Sequence, residues 1–140
     1  MDAAKTHLGV TGELVGSPIS IVDGKSSVVE LTTTPQMAAD GTGLTHGGFT
    51  FGLADYAAML AVNHPNVVLS YAQARFTAPV KTGDKMRAEA KVTEREGKRS
   101  VVNVDVSVSG KHVFLGMFTC YSLEKHVLSE LLENSKEGIG

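Results

Sequence analysis

Asp55 is the only formally charged residue in the apolar run between Gly47 and Val62. An unpaired carboxylate in apolar surroundings is costly, and carboxylates are rarely buried without compensation. The residue therefore either faces solvent or pairs with an outward lysine or arginine, or it serves as a catalytic acid or base in a cleft, where perturbed carboxylates concentrate. Upstream, His46-Gly47-Gly48 opens the same run. First-turn N–H groups of a helix have no internal acceptor, and the dipole there favours negative charge. Glycines also remove side chains that would block an approaching ligand atom. A helix start of this kind can hold an oxyanion or a polarised carbonyl. The plainer reading of the same three residues is a tight turn with a capping histidine.

The spacing of these features carries its own consequence. Gly47 and Asp55 are eight residues apart, or about 12 Å along a helix rising ~1.5 Å per residue. Reacting atoms must come within about 3–3.5 Å of one another. Two such groups cannot act on one carbonyl carbon within one chain. If both are catalytic, one comes from a second subunit, and an isologous dimer would present two equivalent sites at its interface.

Other residues carry weaker signals. Cys120 sits in a strand pattern and reads as a buried structural thiol. His7, His64, His112 and His126 show no metal-ligand spacing and read as surface or loop residues. Gly41-Thr42-Gly43 lacks the third glycine of a nucleotide fingerprint. Arg75, Lys81, Lys85, Lys98 and Arg99 border strands and turns; their default role is a solvated face, with some able to meet phosphates of an anionic ligand.

The elements that must position these residues are legible in part. Gly47 to Val62 is apolar on nearly every side, which predicts a buried helix. Asn63-His64-Pro65 ends it, because proline disfavours helix at the preceding residue. Four two-periodic runs follow: Val68 to Ala78, Met86 to Val92, Val102 to Val108 and Val113 to Tyr121. One apolar and one polar face, with short links at Glu96-Gly97-Lys98 and Ser109-Gly110, predict an antiparallel meander. Its small inward residues leave room for a helix lying across it, an α+β layer arrangement. Before Asp40 only Ser26 to Thr33 reads clearly as a strand, although Gly9 to Val15 and Ile19 to Val22 carry β-branched residues too. Glu124 to Asn134 predicts a short amphipathic helix, so that residues 126–140 form a C-terminal helix and tail.

Bulk properties set the frame. A chain of 140 residues is about one domain, spanning 1–140, and 13 basic against 15 acidic residues leaves a net charge of −2, without the field that attracts nucleic acid or anionic membranes. One cysteine excludes an intrachain disulfide. The stretch Phe51 to Val62 is too short to span a bilayer, and Met1 to Lys5 lacks the apolar segment of a signal peptide. A soluble, cytoplasmic domain is the expectation.

Asp40-Gly41-Thr42-Gly43-Leu44-Thr45-His46-Gly47-Gly48 followed by Leu53-Ala54-Asp55-Tyr56-Ala57 resembles the His-Gly-Gly…Leu-Ala-Asp signature of hotdog-fold acyl-CoA thioesterases of the phenylacetate-pathway type. Arg75 to Asp84 is similar to that superfamily's Pro-Val-x-x-Gly-Asp turn, and the resemblance covers about Ser26 to Ser122. It implies an antiparallel sheet wrapped around one long central helix, assembled as dimers or tetramers. The implied substrate is an acyl-CoA lying along the subunit interface, with no metal and no cofactor beyond the CoA moiety of the substrate. It implies that the Gly47 amide polarises the thioester carbonyl, that Asp55 of the partner subunit acts on it as base or nucleophile, and that His46 shapes the site. Gly48, Asp40, Arg75, Lys98 and Arg99 are the expected substrate-binding residues. Many relatives carry asparagine where this chain has Asp40. The segment from Val68 to Tyr121 also resembles the ligand domain of a malonyl-CoA-responsive repressor of lipid synthesis, which binds rather than cleaves. A non-catalytic acyl-CoA sensor is therefore the competing expectation, with a hotdog dehydratase third.

Overall fold

A computed structural model describes residues 1–129. In chain order it contains α1 (Gly12–Val15), β1 (Ser17–Val22), β2 (Ser26–Thr32), a 3-10 turn (Pro35–Met37), α2 (Gly47–Val62), β3 (Val67–Phe76), β4 (Lys85–Glu96), β5 (Arg99–Val108) and β6 (Lys111–Ser122). The strands form one antiparallel sheet in the order β1-β2-β4-β5-β6-β3.

Helix α2 forms where the apolar run predicts it and for local reasons at both ends. His46 is its N-cap, with extended backbone and a ring nitrogen accepting from the Gly48 N–H. Asn63 ends it in the left-handed region at φ 54°, a conformation that asparagine tolerates better than most residues. The Asn63 side chain accepts from the Lys5 N–H and donates to the Ala3 carbonyl, pinning the amino-terminal arm to the helix end. Between the caps ten residues are buried, from Thr50 to Val62.

The sheet wraps this helix with its inward-facing side chains. Val29, Met86, Ala88, Val102, Val106, Phe114 and Phe118 are fully shielded from solvent. Ala88 and Ala90 keep the inner face of β4 low, so the helix lies close across it. Ser27 ties strand to helix, its hydroxyl donating to the Ala57 carbonyl at 2.6 Å. Gly116 is required by packing: a Cβ there would stand 2.7 Å from the Phe114 ring and 2.8 Å from that of Phe118. The outer face carries pairs such as Glu30 with Lys85 (3.1 Å) and Arg87 (3.2 Å), exposed contacts of small energetic weight. This is the α+β hotdog arrangement implied by the resemblance.

Three expectations need correction. The four runs do not form a simple meander, because β3 lies beyond β6 at the sheet edge and only β4-β5-β6 run in order. The 77–84 link between β3 and β4 is too long for a tight hairpin and lets β3 reach the far side. The predicted alternation Val68-Ser70-Ala72 on one face also fails, since the register shifts between Leu69 and Tyr71 and leaves Ser70 as a bulged residue. The stretch 9–15 is capped by Thr11 into the single helical turn α1. The C-terminal helix expected over 124–134 lies outside the described residues beyond position 129.

Candidate active site

The first turn of α2 leaves one donor open. Gly48 donates its N–H to His46 Nδ1 at 2.7 Å, which makes Nδ1 the acceptor and places the ring proton on Nε2. A Cβ at position 48 would stand 2.8 Å from that same nitrogen, so glycine is what allows the cap to close. Phe49 donates to the His46 carbonyl at 3.1 Å. The Gly47 N–H, at the first helical position, has no partner among the described residues. It borders a cavity of about 390 Å³ lined by Thr45, Gly47, Thr50 and the segment Phe76 to Val80.

The Phe76 ring closes one wall of this cavity. It would lie 3.3 Å from a Cβ at Gly47, and it rests edge-on against the buried Phe114 ring at 5.1 Å. Phe114, Phe118 and Phe51 continue the aromatic contacts along α2, with Phe51 and Phe118 at 5.5 Å. Bulky rings thus shield the space between the helix tip and its middle.

Asp55 lies two turns further on, on the only side of α2 that the sheet leaves partly open, which Gly48, Phe51 and Gly52 share. The residue is half-buried, and its Oδ1 is shielded from solvent with no hydrogen-bond partner. Among the described residues no ion pair includes it, so the plainer expectation of a solvent-facing or ion-paired Asp55 is not what these residues show. Burial raises its pKa to about 6. Its charge also reaches the buried Cys120, whose thiol is pushed up to about 12 first by burial and then by Asp55. Such a thiol is inert as a nucleophile. Cys120 pairs with Leu69 immediately before the Ser70 bulge, which brings this irregularity of β3 to the acid end of the site.

The remaining predicted residues scatter. Asp40 closes a turn, its Oδ1 accepting from the Thr42 N–H at 2.9 Å and hydroxyl at 2.6 Å; these bonds hold its pKa below the ordinary carboxylate value. Arg75 faces outward and borders a different hollow, of about 690 Å³, on the outer face of the sheet with Glu89, Lys91 and Asp105. Lys98 and Arg99 stand at the β4–β5 turn, beside Glu124 and Glu94. In the sheet register Arg75 aligns through Leu115 with Asp105, whereas Arg99 aligns through Tyr121 with Val68. Positions 105 and 99 are six residues apart on β5, about 20 Å at ~3.3 Å per residue. Arg75 and Arg99 of one chain therefore cannot grip the same phosphate. Phe76 and Thr45 complete the cavity yet carried no chemical signal in the sequence beyond their nearness to Pro79 and His46. Among the described residues no group of three or more His, Cys, Asp or Glu side chains is placed to hold a metal, and no helix is long and apolar enough to cross a membrane.

Within one chain, then, the open amide and the buried acid belong to one helix but to separate places. Comparison with known proteins follows the same lines. A model of the thioesterase superfamily matches residues 42–114, the stretch from the Asp40 turn into the start of β6. An uncharacterised protein of Pyrococcus horikoshii, known from its crystal structure, superposes with a TM-score of 0.88 at 54% identity, covering 91% of this chain and 97% of that one. The PaaI protein of the phenylacetic acid degradation operon of E. coli superposes at 0.73 with 29% identity, over 81% of this chain and 83% of that one. A methylthioribose-1-phosphate isomerase of Aquifex aeolicus is 45% identical over 130 residues, 92% of this chain but 28% of that protein. The transcription factor FapR of Caldanaerobacter subterraneus is 29% identical over 134 residues, 96% of this chain and 66% of that protein. The chain thus spans less than two thirds of the curated relatives it matches.

Proposed function

The chain belongs to the thioesterase superfamily, and from that premise we propose that it hydrolyses acyl-CoA thioesters in a site built by two subunits. The observation that carries the reading is Asp55: a carboxylate kept in an apolar helix, unpartnered at Oδ1 and poised near pKa 6. A structural role gives no reason to keep such a group, whereas a general base or nucleophile works best with a pKa close to the operating pH.

The open sheet edge supports this pairing. Strand β3 hydrogen-bonds to β6 on one side only, and its open side runs ten residues with Tyr71 and Phe76 exposed. An edge of this length is a template for another strand. Two copies joined antiparallel through β3 bring the Phe76 end of one chain to the Val67 end of the other, which carries Gly47 toward the partner's Asp55 and the partner's Lys98 and Arg99 toward the Arg75 end. The Gly47 amide then stabilises the developing oxyanion, and Asp55 activates water or attacks the carbonyl carbon directly. With water as nucleophile, the acyl–sulfur bond breaks, oxygen joins the acyl carbon and the CoA thiolate takes the proton. His46 holds the helix tip in place through its cap. Coenzyme A enters as part of the substrate, and the reaction needs no metal or further cofactor.

The second reading is a non-catalytic acyl-CoA sensor, favoured by the match to FapR over nearly the whole chain. Thiol release from a panel of acyl-CoA esters separates the two. Turnover that Asp55→Asn abolishes while CoA binding persists supports the hydrolase; tight binding without turnover supports the sensor.

A further inference from the structure

Thr45 is buried to 6% exposure beside the open Gly47 amide, and its hydroxyl has no hydrogen-bond partner. Both residues line the 390 Å³ cavity. The other two hydroxyls of that lining are engaged: Thr50 with Met86 Sδ at 3.4 Å, and Thr77 with the His112 carbonyl at 3.1 Å. A buried hydroxyl without a partner is rare in native proteins and calls for one supplied from outside the chain. The backbone of Thr45 is fixed, its N–H bonded to the Val80 carbonyl at 2.8 Å, so only the side chain is unsettled. Oγ1 is shielded from solvent and nothing bonds it there, so a turn about Cα–Cβ is what would bring the hydroxyl to the cavity that the residue lines.

We propose that Thr45 is the second hydrogen-bond donor to the thioester carbonyl oxygen, joining the Gly47 amide two residues on; the inference rests on the hydrolase reading above. A developing oxyanion is best held by two donors. The turn residue Asp40 cannot supply one, since its carboxylate only accepts and already holds Thr42. Thr45 therefore acts on the same oxygen as Gly47, and its contribution grows as charge collects there.

The test compares Thr45→Val, which keeps the shape and removes the hydroxyl, with Thr45→Ser, which keeps the hydroxyl and removes a methyl. Turnover of an acyl-CoA is measured beside binding of an S-alkyl-CoA, a thioether lacking the carbonyl oxygen. The expected result is a kcat lowered about 10²-fold in Thr45→Val with KM within about threefold, unchanged binding of the thioether, and recovery of most of the turnover in Thr45→Ser. Wild-type kcat in Thr45→Val overturns the proposal. Equal losses of turnover and thioether binding in both variants also overturn it, because they mark a packing role. A wild-type protein that binds the thioether but releases no thiol from any ester overturns the hydrolase reading instead, and the proposed donor with it.

Discussion

The tip and the middle of α2 offer opposite kinds of unmet need. At the tip, backbone polarity is abundant and nearly all of it is satisfied: Gly48 caps onto His46, Phe49 onto the His46 carbonyl, and the N–H of Gly47, a residue that lines the cavity, is left without a partner among the described residues. In the middle, polarity is scarce, and the one charge present, Asp55, lacks any partner for its shielded oxygen. The tip offers an unpartnered donor, and the middle an unpartnered carboxylate oxygen. One helix holds them about 12 Å apart. What the contrast teaches is that one helix carries both halves of the proposed site too far apart to meet within a chain, which is why the proposed function joins two copies about a two-fold axis.

The contrast is broken most severely at the acid. Asp55→Asn keeps the side-chain shape and removes the base; kcat should fall about 10³-fold, within the range general-base catalysis supplies. Thiol release under saturating substrate checks it, and residual activity within tenfold of wild type would remove Asp55 from the chemistry.

At the tip, Gly47→Pro deletes the donor while respecting the helix. Proline suits the first helical position, and His46 at φ −61° and ψ 130° already has the extended backbone that a following proline requires. A loss of about 10²-fold in kcat with unchanged circular dichroism is expected. The Phe76 ring, 3.3 Å from that side, must give slightly, so Gly47→Ala serves as the control that keeps the N–H.

A third measurement uses pH. Since Asp55 must be ionised to act as a base, kcat/KM should fall tenfold per unit below about 6 and level off above it. In Asp55→Asn this limb should vanish from whatever activity is left. Stability runs the other way. Its folded pKa is raised from 3.8 to about 6, so the folded chain holds a proton that the unfolded chain has already lost between those values. The contribution is present in full at low pH and is lost as pH rises through that window. At pH 7.5, Asp55→Asn should therefore raise the melting temperature, by roughly 4 °C for ~1–2 kcal/mol. A lower melting temperature would mean that the carboxylate is paired in the assembled protein.

The smallest effect belongs to the cap. His46→Ala removes the acceptor of the Gly48 N–H and should cost about 1 kcal/mol in denaturant unfolding. A loss beyond about 3 kcal/mol would give His46 a packing role that its exposure does not suggest.

How much of this was legible in the sequence depended on how local the cause was. Helix α2 read correctly from Gly47 to Val62, because an apolar run interrupted by a single charge, with a histidine–glycine start and an asparagine end, states its own limits. The inward alternation of β4 and β5 was equally plain, being a two-residue period with one buried face. Strand order was not, since whether β3 pairs with β4 or crosses to β6 depends on the 77–84 link and on packing against α2. The Ser70 bulge was hidden because one inserted residue leaves no local mark in composition. For the site, the charge of Asp55 and the glycines at 47 and 48 announced themselves by being out of place. Asp40, Arg75, Lys98 and Arg99 did not sort by sequence: a turn, an outward face and a distant hairpin separate them only in three dimensions. Thr45 and Phe76 gave no signal, as a threonine and a phenylalanine beside a motif are ordinary until a cavity lies between them.

Subunit complementation tests the joined site most directly. Asp55→Asn and Gly47→Pro proteins, each inactive, are mixed, unfolded and refolded together, and thiol release is followed. A composite site makes one of the two sites in each mixed dimer wholly wild type, so about a quarter of wild-type activity should return. If each chain works alone, every site keeps one lesion, and a mixture no more active than its separate components would contradict the account.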